Sequence, residues 1–246
     1  EGVITSDFRV SCPGYATFFG RAFKCWKSGG HGSMDLRQAI EQSCNVYFYT
    51  IGNMTGIERI HRWATRLGLG VKSGIDLPNE GQGLVPSPEW KRGRTGEKWY
   101  AGETISVSIG QGQVNLTPMS MAVYISSIAN GGTRVTPRLL KAIDEGQGWH
   151  EVAPKPAVDI GLKADTIKAL REGLWMVVNG VGTGGRARIA GRDVAGKTGT
   201  AQVISLEGAR SAAGRTKRDL RAPGWFVFFA PRDTPRLAGG ASPEHA

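Results

Sequence analysis

The stretch Lys197-Thr198-Gly199-Thr200-Ala201 sets a cation, two hydroxyls and a glycine in one short run that reads as a β-strand. Side chains alternate along a strand, so Lys197, Gly199 and Ala201 point one way and Thr198 and Thr200 the other. Lysine supplies positive charge, the threonines supply hydrogen bonds, and glycine lets another backbone come close. Such a strand at a sheet edge could pair with an extended peptide while holding its carboxylate. Read alone, the run is a polar strand end. The second element is Ser43-Cys44-Asn45, which breaks a helix-like pattern far earlier in the chain. Read alone, Ser-x-Asn is a helix N-cap. The functional reading needs both segments to face each other across one cleft.

A third cluster has metal-binding chemistry. All three cysteines and one of the four histidines fall in the pattern Cys12-x12-Cys25-x5-His31-x12-Cys44. Three thiolates and an imidazole are a standard donor set for a tetrahedral structural zinc ion. Cys44 lies between Ser43 and Asn45, so a metal there would brace the bend from behind. Two other arrangements stay open: a Cys12–Cys25 disulfide with Cys44 as a small buried residue, or three unlinked packing residues. The odd number of thiols suits a metal better than a disulfide. His61, His150 and His245 lack the cysteine neighbours of His31 and read as ordinary surface or helix residues. Trp26, Trp90, Trp99 and Tyr100 are expected mainly in the core, with a substrate groove as the other place for them. Gly110-Gln111-Gly112 has no following lysine and reads as a tight turn, not a phosphate loop.

The elements that must position these residues follow from periodicity. Residues 1–33 read as irregular structure with one hairpin. From Met34 a helical pattern runs through Leu36, Ala39 and Ile40, breaks at Ser43-Cys44-Asn45, and resumes through Val46, Phe48, Tyr49 and Ile51. A helix over 57–67 ends at Gly68 and Gly70. Residues 71–103 read as loop, and Thr104 to Ile109 as a strand. Thr117-Pro118 starts a helix that runs to Asn130-Gly131-Gly132. Strands are expected at 133–140 and 149–153, an amphipathic helix over 164–178, and further strands at 192–204 and 224–230. The tail from Pro235 offers nothing to close the sheet. Helices in the middle and antiparallel strands late give an α+β fold, read as one domain over 1–246 with a Cys/His-rich subregion at 12–44.

Composition narrows the partners. With 40% hydrophobic and 21% charged residues the chain is globular, not disordered. Its 36 glycines and 12 prolines exclude a simple helical bundle. The net charge of +10 suits an acidic polymer, an anionic membrane surface or nucleic acid. The densest basic stretch, Arg210 to Arg221, reads as a solvated loop, and no nucleic-acid motif accompanies it, so no nucleic-acid partner is expected. No apolar run approaches the ~20 residues of a membrane helix.

Taken together, Ser-x-Asn followed by Lys-Thr-Gly resembles the motif set of penicillin-binding proteins and serine β-lactamases. The wider chain resembles the class B penicillin-binding proteins, the elongation-type penicillin-binding protein 2 family in particular. The likeness rests on Cys25-Trp26-Lys27-Ser28-Gly29-Gly30-His31-Gly32, Gly74-Ile75-Asp76-Leu77-Pro78, Ile105 to Gly112, Leu116-Thr117-Pro118 and Lys197 to Gln202. It implies a penicillin-binding transpeptidase fold, an antiparallel sheet with helices on its faces. It implies acyl transfer between D-Ala-D-Ala stem peptides of peptidoglycan, blocked by β-lactams, with no cofactor needed for catalysis. It also implies wall-elongation membrane proteins as partners, a role in cell shape, and a place on the periplasmic face of the cytoplasmic membrane, with the anchor outside this chain. By the same resemblance Ser43 relays protons and Asn45 binds the substrate amide and the neighbouring lysine. Lys197 adds positive potential, while Thr198, Gly199 and Thr200 form the substrate-binding strand. The Thr200 N–H is half of an oxyanion hole, a contact worth about 3 kcal/mol.

The family's Ser-x-x-Lys nucleophile departs from this match. No serine here has lysine three places on; only Thr95-Gly96-Glu97-Lys98 has the spacing, in the wrong order and context. The expectation is therefore a domain cut at both ends, marginally stable, with its acylating serine lying before Glu1 and its closing helix missing. A β-lactamase or D,D-carboxypeptidase relative is a second reading, and a peptide-binding module without turnover a third. The Trp26-to-Gly32 stretch and the long loop 71–103 favour the transpeptidase.

Overall fold

A computed structural model describes residues 2–200 and 224–242. Its first strands, β1 (Val10–Cys12), β2 (Tyr15–Phe18), β3 (Arg21–Lys24) and β4 (Gly32–Met34), replace the irregular segment expected there. β2 and β3 form the expected hairpin, turned at Phe19 and Gly20, both with positive φ. This is the conformation of a two-residue primed turn. β1 pairs antiparallel with β4, opposing Cys12 to Gly32.

Helix α1 (Leu36–Glu41) starts at Asp35, whose carboxylate accepts the Gln38 N–H while the Gln38 side chain accepts the Asp35 N–H. This reciprocal cap fixes where the helix begins. After the break comes α2 (Asn45–Thr55), then α3 (Ile57–Arg66), as periodicity predicts. Gly68 and Gly70 follow α3 with positive φ, as its end requires.

Two expectations fail in the next stretch. The segment read as loop holds α4 (Pro88–Thr95), capped by the Ser87 hydroxyl with Pro88 at its first turn. The segment read as a strand is α5 (Ala101–Val107). Alternating Thr, Ile, Ser and Val mimic a strand, but Thr104, Ile105 and Val107 are buried at helical spacing. The Glu103 carboxylate accepts the Tyr100 N–H at the helix start and takes the buried Lys91 ammonium at 2.8 Å, tying α5 to α4. Tertiary contacts override a weak β-propensity.

Helix α6 (Pro118–Ala129) begins at Thr117 as expected. The strands expected next shrink to two small ladders, β5 (Thr133–Arg134) with β8 (Val158–Asp159) and β6 (Ala142–Asp144) with β7 (Trp149–Glu151). Helix α7 (Ala164–Asn179) follows. The last sheet contains β9 (Ala195–Thr200), β10 (Gly224–Ala230) and β11 (Leu237–Ala241), antiparallel in the order β11-β10-β9. The tail expected to leave the sheet unclosed thus supplies a strand. Gly239 and Gly240 show no apolar pattern, yet they pair with Phe228 and Val227 through backbone bonds alone. The basic stretch 210–221 and residues 201–204 of the expected strand lie outside the described residues.

The α+β class holds. Helices α6 and α7 pack on the sheet around Phe229, Val227, Val177 and Ile125. A second core gathers Cys12, Cys25, Cys44, Tyr47 and Ile105. Helix α1 gives Ile40 to the first core and Ala39 to the second, so the break after it is wedged between the two. Gly52 of α2 lets α5 come close, since a Cβ there would collide with the Ser108 side chain. Gly52→Ala is therefore expected to cost about 1–3 kcal/mol in urea unfolding through overpacking. Adding Ser108→Gly should recover much of that loss.

Candidate active site

Ser43 sits at the break between α1 and α2 with φ of 55°. This left-handed conformation costs a non-glycine residue roughly 1–2 kcal/mol, so something must hold it. The Trp26 indole does so, with its N–H 3.0 Å from both the Gln42 and the Ser43 carbonyl oxygens. The twist turns the Ser43 hydroxyl toward β9, where it accepts from Lys197 Nζ at 2.8 Å. The two segments expected to share a cleft therefore do so.

Lys197 also donates to the Thr198 carbonyl at 2.8 Å. Burial pushes its pKa from 10.5 down to about 8. β9 lies at one edge of the described sheet, so no strand among the described residues covers its outer side. The Thr198 and Thr200 carbonyls both point to this outer side, where Lys197 and the Gln111 amide (3.0 Å) reach them. A strand residue's N–H and C=O lie on one side of the strand, so the Thr200 N–H faces the cleft as well. Side-chain alternation does not separate the lysine from the threonines as strict faces would, because Lys197, Thr198 and Thr200 all line the cleft from the sheet's edge. Its volume is about 710 Å³, and its walls include Ser43, Asn45, Trp26, Gln111, Thr183 and Gly199.

Asn45 lines the cleft with its amide 3.5 Å from the Lys24 carbonyl. Trp26 is 59% exposed there, whereas Trp90, Trp99 and Tyr100 stand outside the cleft lining. Thr95 is not a second nucleophile candidate, since it ends α4 with its hydroxyl on the Lys91 carbonyl. Several cleft residues escape the sequence reading of the site, Phe48, Tyr124 and Thr183 among them. Thr183 puts its hydroxyl 2.6 Å from that of Thr198. Gln111 was read as part of a tight turn that the family resemblance puts close to the site; Gly110 and Gly112 do take positive φ, and the turn aims its side chain at β9.

Behind the bend, one ligand atom each from Cys12, Cys25, His31 and Cys44 lies within 4.8 Å of the others. All three cysteines are buried and unlinked in this arrangement. His31 Nδ1 lies 3.6 Å from the Cys12 sulfur and 3.5 Å from that of Cys25. Burial and the nearby Lys27 lower the His31 pKa, favouring the neutral ring a metal needs. Burial pushes the Cys44 thiol up to about 12. Burial acts the same way on Cys12 but is outweighed by the Gly14 and His31 N–H groups and the neighbouring thiols, which hold it below 9.0. His61 bonds the Val85 carbonyl, His150 is exposed, and His245 lies outside the described residues.

The fold and the cleft define a penicillin-binding transpeptidase domain. The family model described as the penicillin binding protein transpeptidase domain matches residues 1–244, and the chain belongs to that family. It is 40% identical over 243 residues to the peptidoglycan D,D-transpeptidase MrdA of Acinetobacter baumannii, covering 96% of this chain and 36% of that protein. The Haemophilus influenzae MrdA is 36% identical, with 98% and 39% covered. The chain thus spans less than two fifths of these relatives. Pseudomonas aeruginosa PBP2, solved with WCK 5153, superposes at a TM-score of 0.82 with 32% identity, covering all of this chain and 51% of that one. Helicobacter pylori PBP2, solved in complex with MreC, gives 0.82 and 31%, covering 98% and 42%. Among the described residues no helix is long and apolar enough to cross a membrane.

A lysine held at about 8 in the folded state, against about 10.4 when unfolded, leaves the unfolded chain binding more protons between those values. Stability then rises with pH across that window by an amount on the order of 3 kcal/mol, having been reduced by that much below pH 8. Lys197→Met should remove this rise, as read by urea unfolding at pH 7 and pH 10. An unchanged slope means that Lys197 is not the group responsible.

Proposed function

We propose that the chain forms the carboxylate-binding side of a peptidoglycan D,D-transpeptidase, which cross-links D-Ala-D-Ala stem peptides by serine acyl transfer and is the target of β-lactams. The observation that carries this reading is the 2.8 Å contact between Lys197 and Ser43 beside the open edge of β9. The stem peptide lies along β9 as an added strand, its terminal carboxylate on the Thr198 and Thr200 hydroxyls and near the Lys197 charge. Gly199 lets the peptide backbone approach. The Thr200 N–H receives the carbonyl oxygen that becomes negative at the tetrahedral stage. Asn45 binds the substrate amide.

The reaction is acyl transfer in two steps. A serine oxygen attacks the carbonyl of the penultimate D-alanine and the terminal D-alanine leaves with a proton. An amine of a second stem then displaces the serine and completes the cross-link. Ser43, bonded to a lysine whose pKa is near 8, can pass the proton to the leaving amine. The nucleophile belongs to a Ser-x-x-Lys element, and these residues contain none, so a complete catalytic set needs that serine from elsewhere.

In this reading the four donors behind Ser43 hold a structural zinc ion. Tetrahedral zinc, with Zn–S of ~2.3 Å and Zn–N of ~2.0–2.1 Å, puts sulfur and nitrogen about 3.5 Å apart. The separations of 3.6 and 3.5 Å from His31 Nδ1 to the Cys12 and Cys25 sulfurs match that edge. The residues therefore fit the ion, which would secure the β1–β4 corner and Cys44. The chain is read as one partial domain that works at the periplasmic face of the cytoplasmic membrane. A membrane-associated wall-elongation protein is its expected partner, the Helicobacter pylori relative having been solved with MreC.

Two experiments test this. The 246-residue polypeptide should bind an acyl-D-Ala-D-Ala peptide noncovalently, lose roughly tenfold in affinity in Thr198→Val (one hydrogen bond to a charged group), and take no covalent label from benzylpenicillin. Stoichiometric labelling would overturn the expectation that these residues lack the nucleophile, and titration curves that do not change with the peptide would refute the assignment. Purified protein should carry one zinc per chain, and removing it by chelation or by Cys25→Ser should lower the thermal midpoint. Metal-free protein with an intact Cys12–Cys25 bond would end the zinc assignment.

A further inference from the structure

Glu41 has the only carboxylate among the buried residues described, at 4% exposure, and nothing in the reaction above uses it. A buried carboxylate is costly unless hydrogen bonds satisfy it. It ends α1 two residues before Ser43 and turns away from the cleft, toward the segment Gly180-Val181-Gly182-Thr183-Gly184 that follows α7. The Val181 N–H donates to its Oε1 at 2.9 Å, and the Thr183 N–H donates to its backbone oxygen at 3.3 Å. The loop is moulded onto this residue. A Cβ at Gly180 would collide with Glu41 Oε1, and one at Gly182 would stand 2.8 Å from the Glu41 backbone oxygen and 2.5 Å from Val177 Cα. The outcome is the placement of Thr183, whose hydroxyl lies 2.6 Å from that of Thr198. A hydroxyl has one proton to give and two lone pairs. With Thr183 donating to Thr198, the Thr198 proton is free for an incoming carboxylate, and aligned hydroxyls strengthen each other.

We propose that Glu41 is a positioning residue for carboxylate recognition, its buried side chain fixing the 180–184 loop so that the Thr183 hydroxyl stays on Thr198. The inference rests on the reading of Thr198 as a carboxylate-binding group. It adds an interaction between the Ser43 bend and the β9 edge that does not pass through Lys197.

The test measures noncovalent affinity for an acyl-D-Ala-D-Ala peptide together with hydrogen exchange of the Val181 and Thr183 amides. Glu41→Ala and Thr183→Val should each weaken binding about tenfold, and the double variant should be no weaker than the poorer single one, because both act through one hydroxyl. Glu41→Gln, which keeps an oxygen for the Val181 N–H, should restore affinity to within about threefold. Gly182→Ala lifts the same loop from its other side and should reproduce the loss if Glu41→Ala folds poorly. Faster exchange at Val181 and Thr183 in Glu41→Ala, reversed in Glu41→Gln, is expected whether or not the peptide binds. Additive losses, parent-like affinity in Glu41→Ala, or unchanged amide exchange would overturn the proposal. Failure of the parent chain itself to bind the peptide counts against the functional reading, and the exchange data then decide the loop's dependence on Glu41 separately.

Discussion

The contact between the Lys197 ammonium and the Ser43 hydroxyl is the constraint on which this architecture turns. It joins residues 154 positions apart and spans the two hydrophobic cores. Neither partner reaches the other by local preference. Ser43 must adopt a left-handed backbone, which the Trp26 indole stabilises by holding two successive carbonyls. Lys197 must give up most of its hydration, which the packing of α7 and β10 around β9 enforces. The short α1, its reciprocal cap and the glycine at position 52 all serve to bring one bent turn against one strand edge.

The Ser43-Cys44-Asn45 triplet shows how one bend serves two environments. Ser43 and Asn45 line the cleft, while Cys44 between them is fully buried among Cys12, Cys25 and His31. Alternation of this kind couples the two sides mechanically, because whatever fixes Cys44 also fixes its neighbours. Trp26 strengthens the coupling. It follows Cys25 directly, packs edge-on against the His31 ring at 5.3 Å, and reaches the Ser43 carbonyl from there.

Elements with strong local signals were legible in the sequence. The break within 36–51 and the Thr117-Pro118 helix start combine a cap with helical spacing, the stripe over 164–178 rests on spacing alone, and all three stand where expected. The misread elements lack such agreement between levels. Helix α5 has strand-like alternation and gains its conformation from burial of one side and from the Lys91–Glu103 pair. β11 carries glycines where a strand pattern needs side chains, and its position comes from backbone pairing with β10. The site divides in the same way. Ser43, Asn45, Lys197, Thr198 and Thr200 belong to recognisable motifs. Thr183 and Gln111 are placed by loops whose course no periodicity encodes, so no sequence signal short of the fold itself marks Thr183 as a neighbour of Thr198.

The electrostatics of the cleft follow from the same packing. Among the described residues the Lys197 ammonium has two hydrogen-bond partners, a hydroxyl and a carbonyl, both uncharged. Desolvation by burial is the cause of its lowered pKa, and it leaves the folded protein less stable than a neutral side chain would. An anion in the cleft changes that balance, because a nearby negative charge favours the protonated lysine. The folded chain therefore holds a positive potential in place before any ligand arrives, beside hydroxyls already oriented. A flexible surface lysine would have to give up side-chain freedom on binding, whereas this one has given it up on folding. The cost of burial is borne by the packing of α1, α7 and the sheet, and the result is a cation already in place at the β9 edge.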